Sequence, residues 1–253
     1  MKIAAIIEAR MSSSRLPGKV MKCVPDTDTT LIQLMVERLR DSLLLDDVIV
    51  ATTVSKNDDV LCQHLDILGI SYYRGSEENV LQRVLDTALR FGVDIIVEVT
   101  GDCPILDPII VDQSIGFFYK SSSDYVGNTC ITDMYPRGQD VKVFATSVLS
   151  AVNVLTQDAD DREHVSLYIY NNRDKFKCTP LPKPPYTIPE KTRLTVDYPE
   201  DLHMVLTVLE NLGHNCTLRD ICSFLTKNSN ILEINGNLGV SYINDDTRHD
   251  KAD

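Results

Sequence analysis

A chain of 253 residues, 43% hydrophobic and 25% charged, has the balance of a folded globular protein and the size of one α/β domain. Its net charge of −12 excludes broad, non-specific binding to nucleic acid, which needs a basic face. No apolar stretch reaches the roughly 18–20 residues of a membrane span; no secretory leader precedes Glu8, and seven scattered cysteines without a C-x-x-C read as reduced thiols, so a cytoplasmic protein is expected.

Residues 2–8 (KIAAIIE) form a short, nearly continuous apolar run, the pattern of a strand buried on both faces of a parallel sheet. Residues 47–53 (DVIVATT) and 94–100 (DIIVEVT) repeat it, with residues 70–74 a shorter candidate. Between them, residues 31–44, 57–68 and 78–91 carry apolar side chains at helical spacing. Alternating strand and helix predicts a doubly wound, mostly parallel, Rossmann-like sheet with helices on both faces, which binds ligands at the carboxyl ends of its strands. Residues 121–190 are less regular, with a helix expected over 160–170, and read as an insertion that shapes an acceptor site or a homodimer contact. Residues 193–209 return to strand, turn and helix. A single domain over 1–243 is thus expected, with residues 244–253 a polar, frayed tail.

The segment directly after the first strand, ARMSSSRLPGK, is the most informative. Arg10, Arg15 and Lys19 surround the hydroxyls of Ser12, Ser13 and Ser14 and a run of backbone N–H groups, a composition suited to phosphate oxygens. It lacks the glycine and the Ser/Thr of a Walker A loop, and no G-x-G-x-x-G occurs anywhere. A basic surface loop with Pro17-Gly18 making a turn is the plainer alternative. Two more segments place carboxylates at strand ends: Asp102 in Gly101-Asp102-Cys103-Pro104, and Asp197 in TVDYPED, where Glu200 and Asp201 are read as helix-dipole compensation. Magnesium takes one or two carboxylates with phosphates and water, so Asp102 and Asp197 form a candidate Mg2+ site, although either alone could be a helix cap or turn residue.

The run IIEARMSSSRLPGKV resembles the N-terminal signature of the cytidylyltransferase superfamily, of acylneuraminate and 3-deoxy-manno-octulosonate type. RGSEENVLQR, TGDCP, YPRGQDV, REHV and LTVDYPEDL follow in the order of the spore coat polysaccharide biosynthesis cytidylyltransferase-like branch. The resemblance covers about the first 210 residues. It implies transfer of CMP from CTP to a sugar-like acid or related small acceptor, with release of pyrophosphate, in surface polysaccharide or glycan precursor synthesis. Arg10, Lys19, Asp102 and Asp197 would be catalytic. Ala9, Arg10, Ser12, Ser13, Ser14, Arg15, Lys19, Gly75, Ser76 and Arg83 would hold the nucleotide, with an exposed helix arginine as the alternative for Arg83. Arg137, Gln139 and Asp140 would lie near the acceptor. Octulosonate enzymes carry V-Q-G-D where this chain has Val99-Thr100-Gly101-Asp102, a departure that argues against octulosonate as acceptor. Two other readings stay open: a UTP- or GTP-dependent sugar-phosphate nucleotidylyltransferase, and a non-catalytic nucleotide- or sugar-binding module.

Overall fold

The computed structural model describes residues 1–128 and 134–238. The tail expected at 244–253 lies outside the described residues.

The chain alternates as the apolar runs demand. Strand β1 (Ile3–Glu8) leads through a long loop to α1 (Leu31–Arg40), β2 (Asp47–Thr53), α2 (Asp59–Ile67), β3 (Tyr72–Gly75), α3 (Val80–Phe91) and β4 (Ile95–Thr100). Helix α4 (Pro108–Ser121) then precedes β5 (Tyr125–Gly127), β6 (Lys142–Ala145), α5 (Thr146–Leu155), α6 (Ala159–Glu163), α7 (Leu167–Asn171) and β7 (Cys178–Pro180). Helices α8 (Pro199–Leu212) and α9 (Leu218–Lys227) follow.

These strands form one seven-stranded sheet in the order β3-β2-β1-β4-β6-β5-β7. All neighbours pair in parallel except β6, which runs against both β4 and β5. Alternate side chains of β1 enter opposite cores. Ala5 and Ile7 pack with the apolar faces of α1, α2, α4, α8 and α9; Ala4 and Ile6 pack with α3, α5 and α7. That two-sided burial explains why β1 reads as an unbroken apolar run rather than an alternating one.

Three sequence expectations change. Residues 121–190, read as an insertion, contribute β5, β6 and β7 to the main sheet. The helix expected over 160–170 is split into α6 and α7 at Val165, whose backbone takes a positive φ of 46°. The strand expected after residue 193 is an extended segment outside the sheet. It is held by single bonds, Leu194 N to Arg137 O at 2.8 Å and Val196 N to Asp102 O at 2.7 Å. Between β1 and β4 the winding reverses, since β2 and β3 lie to one side and β4 to the other. At such a switch point the loops after the two strands diverge and leave a crevice.

Candidate active site

The loop after β1 opens directly into that crevice. Ala9 continues the strand with a bond to Ala51 O, and Met11 N donates to the buried Asp58 at 2.6 Å, which anchors the start of the loop. Gly18, at φ 68°, turns the chain so that Lys19 points back toward the sheet. Across the crevice, Gly101 packs closely enough that an added Cβ would stand 3.1 Å from both Ala9 Cβ and Glu8 O, so glycine lets the two loops touch.

Lys19 Nζ sits between two carboxylates, 3.1 Å from Asp102 Oδ2 and 3.0 Å from Asp197 Oδ1. The Lys19 ammonium thus bridges the two carboxylates, whose oxygens are at most about 6 Å apart. Arg15 reaches Asp197 Oδ1 at 2.8 Å and lies over the Tyr198 ring, 5.3 Å from its centroid. Burial alone would raise the Asp197 carboxyl, but Lys19 and Arg15 outweigh it and hold the carboxyl below its ordinary range. Burial likewise works against the Lys19 ammonium, yet the charges of Asp102 and Asp197 win and raise it.

Asp197 is fixed from behind. Arg193, buried to 1% exposure, donates Nη2 to Asp197 Oδ2 at 3.1 Å, and Nε to Asp201 Oδ1 at 2.9 Å. Asp201, fully buried, accepts the backbone N–H groups of Asp197 and Tyr198 at 3.0 and 3.1 Å, and Asn235 Nδ2 at 2.9 Å. Charged groups so deep in a fold persist only when each is paired and hydrogen-bonded, and here every one of these carboxylate oxygens has a partner.

Toward β3, the crevice is walled by the turn before α3. Ser12 Oγ donates to Glu77 Oε1 at 2.7 Å, and Arg10 stands 4.0 Å from the same oxygen. Arg83 Nη1 caps the carbonyls of Ser76 and Glu77. Gly75 is buried against Arg83, where a Cβ would come within 2.9 Å of its Cγ.

The cytidylyltransferase family model matches residues 4–232. The spore coat polysaccharide biosynthesis protein SpsF of Bacillus subtilis is 31% identical over 233 residues, covering 89% of this chain and 95% of that protein. The 3-deoxy-manno-octulosonate cytidylyltransferase of Geobacter metallireducens is 26% identical, covering 76% and 83%. A solved cytidylyltransferase structure from Leptospira borgpetersenii superposes with a TM-score of 0.85 at 33% identity, covering 92% of this chain and 97% of that one.

The chain belongs to the cytidylyltransferase family.

The cytidylyltransferase fold therefore brings Arg15, Lys19, Asp102 and Asp197 together at one end of the crevice, and Arg10, Ser12, Gly75, Ser76 and Arg83 around the other. Ser13 braces the loop by accepting Leu16 N at 3.4 Å, while Ser14 is exposed. Arg83 is no exposed helix arginine: only 2% of it is accessible. Of the residues expected near the acceptor, Gln139 requires correction. It is fully buried, its amide accepts Asp107 N and donates to Ile105 O, both at 3.0 Å, and it braces a loop instead of facing a ligand. Asp140 is also buried and accepts Gly138 N at 2.8 Å. Arg137 offers its carbonyl to Leu194, and Gly138 lies so close that a Cβ would fall 2.2 Å from Leu194 C.

Sequence reasoning missed Arg193 and, with it, a second role of Asp201. The signal was present: Arg193, Asp197 and Asp201 are spaced four apart around the turn into α8. Asp201, assigned mainly to the helix dipole, does sit in the first turn of the helix and also pairs with Arg193. It also passed over Glu98 in mid-strand. That carboxylate is 1% exposed and pairs with Lys142 on β6, its register partner.

Proposed function

We propose that this cytidylyltransferase transfers CMP from CTP to a sugar-like acid in the synthesis of a surface polysaccharide or related glycan precursor. The observation that carries the reading is the meeting of Lys19, Arg15, Asp102 and Asp197 at the β1/β4 switch point. Three parts of the chain far apart in sequence converge there on one small volume of alternating charge. The name of the B. subtilis relative supports the polysaccharide setting.

In this reading an acceptor oxygen attacks the α-phosphorus of CTP in line. The new P–O bond forms as the bond to the β-phosphate bridging oxygen breaks, and pyrophosphate leaves with that electron pair. Arg10, Arg15 and Lys19 bind phosphate oxygens, and Lys19 and Arg15 neutralise charge that grows on the leaving group. Asp102 and Asp197 would hold Mg2+. The donor set fits: two hard carboxylate oxygens already gather round one cation, the Lys19 ammonium, and phosphates and water would complete a shell. Bound there, the ion would supply Lewis-acid polarisation of the α-phosphate. Arg193 and Asp201 keep Asp197 aimed at that point. A cytoplasmic site of action and a homodimer complete the proposal.

A pyrophosphate-release assay tests it, with the four ribonucleoside triphosphates set against a panel of ulosonic acids, sugar phosphates and phosphonates in Mg2+ buffer. Turnover with CTP and an acidic sugar is expected. Turnover only with UTP or GTP, or with none, overturns it.

A further inference from the structure

Glu8 is the last residue of β1, one residue before the phosphate loop, and the chemistry above gives it no task. In register it stands opposite Ala51 on β2 and Thr100 on β4. It shares a sheet face with Ile6, whose partner on β4 is Glu98, itself opposite Lys142 on β6. Glu8 is part-buried with its Oε1 buried, and the side chain makes no hydrogen bond or ion pair among the described residues. Nearby, the buried Arg83 leaves its Nε–H unpartnered as well. Leaving such groups unpaired costs about 1–3 kcal/mol each, and more where a charge is involved. Lys142 makes its ion pair with Glu98, and its charge offsets the burial of Glu8 only in part.

The charged groups that face Glu8 are Glu98 from β4, Lys142 from β6, Arg83 from α3 and Asp102 from the loop after β4. Burial first, then Glu98, pushes the Glu8 carboxyl up to about 8, so it keeps its proton at neutral pH. A neutral carboxyl has one donor and one acceptor side by side, whereas an ionised one only accepts.

We propose that Glu8 is the base-reading side chain of this enzyme, its unpartnered carboxyl pairing with N3 and the exocyclic amino group of cytosine. The inference rests on the CTP reading above and deepens it. Position supports it: Asp102, Lys19 and Asp197 take the phosphate end of the crevice. Arg83, which faces Glu8, lies by the wall built from Ser12 and the Ser76–Glu77 turn. Chemistry supports it too. Cytosine offers an acceptor, N3, beside a donor, the amino group, and the acid O–H and C=O match them in order. The ionised form would set an oxygen lone pair against N3. Glutamine reproduces the neutral pattern at every pH, and leucine removes it.

The test is calorimetric titration with CTP from pH 7 to 9.5, on wild type, Glu8→Gln and Glu8→Leu, with inorganic tripolyphosphate as the probe without a base. Relative to Glu8→Gln, the wild type should lose about tenfold in CTP affinity by pH 9, because the competent fraction shrinks as the carboxyl ionises. Titration of CTP itself cancels in that ratio. Glu8→Leu, shown folded by its thermal melt, should bind CTP at least tenfold more weakly at pH 7, with tripolyphosphate affinity unchanged. Parallel pH curves for wild type and Glu8→Gln, or wild-type CTP affinity in Glu8→Leu, overturn this inference alone. Absence of CTP binding by the wild type at every pH overturns the function reading and this inference with it.

Discussion

The two ends of the crevice solve opposite problems. At the Asp197 end every buried charge has a partner: Arg193 and Asp201 brace Asp197 from behind, and Lys19 and Arg15 meet it from the front. At the Glu8 end, buried polar atoms are left without partners although Glu98 and Lys142 pair alongside. The first arrangement is already complete in the chain, and a ligand there exchanges one set of charge pairs for another. The second is incomplete, and a ligand there adds bonds that the fold lacks. Substitutions should therefore fall into distinct classes: those at the paired end break chemistry or folding, and those at the unpaired end alter recognition and pH response.

The largest effect is expected from Asp102→Asn and Asp197→Asn. Each should lower turnover by roughly 10²- to 10³-fold, the scale of removing one group that stabilises transition-state charge. CTP affinity measured without Mg2+ should stay level or rise, since a negative charge near the phosphates has gone. Steady-state kinetics with a parallel binding titration decides it, and a loss confined to affinity would leave both aspartates outside the chemistry.

Asp201→Ala comes next. It strands Arg193 and two backbone N–H groups in a fully buried place, and breaking such a pair costs about 3–5 kcal/mol. Chemical denaturation should show that loss of stability. A surface-like cost under 1 kcal/mol would mean that Asp201 serves only the helix dipole.

That residue also shows where sequence reading stops. Strands β1, β2 and β4 were legible because burial on both faces writes continuous apolar runs, and Asp102 and Asp197 stood out as charges at the ends of apolar runs. The middle of the chain was not, because β5 and β7 have three residues each, too short to show a period, and β6 has four. Gln139 lay in a segment that resembled a functional one, and nothing in its spacing revealed that its amide is spent on Asp107 and Ile105. Glu8 and Glu98 looked like the ends or interruptions of apolar runs. Their common face depends on strand pairing, which one sequence does not display.

Arg15→Ala should be milder. Arg15 is exposed and packs on Tyr198, so its loss removes one phosphate contact and little core. An increase of about tenfold in the CTP dissociation constant is expected, near 1.4 kcal/mol, with an unchanged melting temperature. Lys19→Ala should weaken CTP binding too, but it also leaves Asp102 and Asp197 facing each other without the ammonium between them. Acid then becomes informative. The Asp197 carboxyl is held below its ordinary value, so its contribution to stability is present above the unfolded value and is lost as pH falls through the depressed one. Lys19→Ala should shrink that acid-sensitive part, as denaturation profiles between about pH 5 and 2 can show.

The smallest effect tests the unpaired end by stability alone. The Glu8 carboxyl rises from an ordinary 4.5 to about 8, so below pH 4.5 both folded and unfolded chains hold the proton. Between those values only the folded chain holds it. The folded state then binds more protons than the unfolded one, and stability must fall as pH climbs through that window. Glu8→Gln has nothing to titrate there. It should match the wild type near pH 4.5 and exceed it near pH 8, by roughly 1–2 kcal/mol once the part-exposed position of the carboxyl is allowed for. Denaturation midpoints of the two proteins at pH 4.5, 6 and 8 measure the difference directly. A gap that fails to widen with pH would mean that Glu8 is ionised in the folded chain, and the contrast between the two ends of the crevice would have to rest on Arg83 alone.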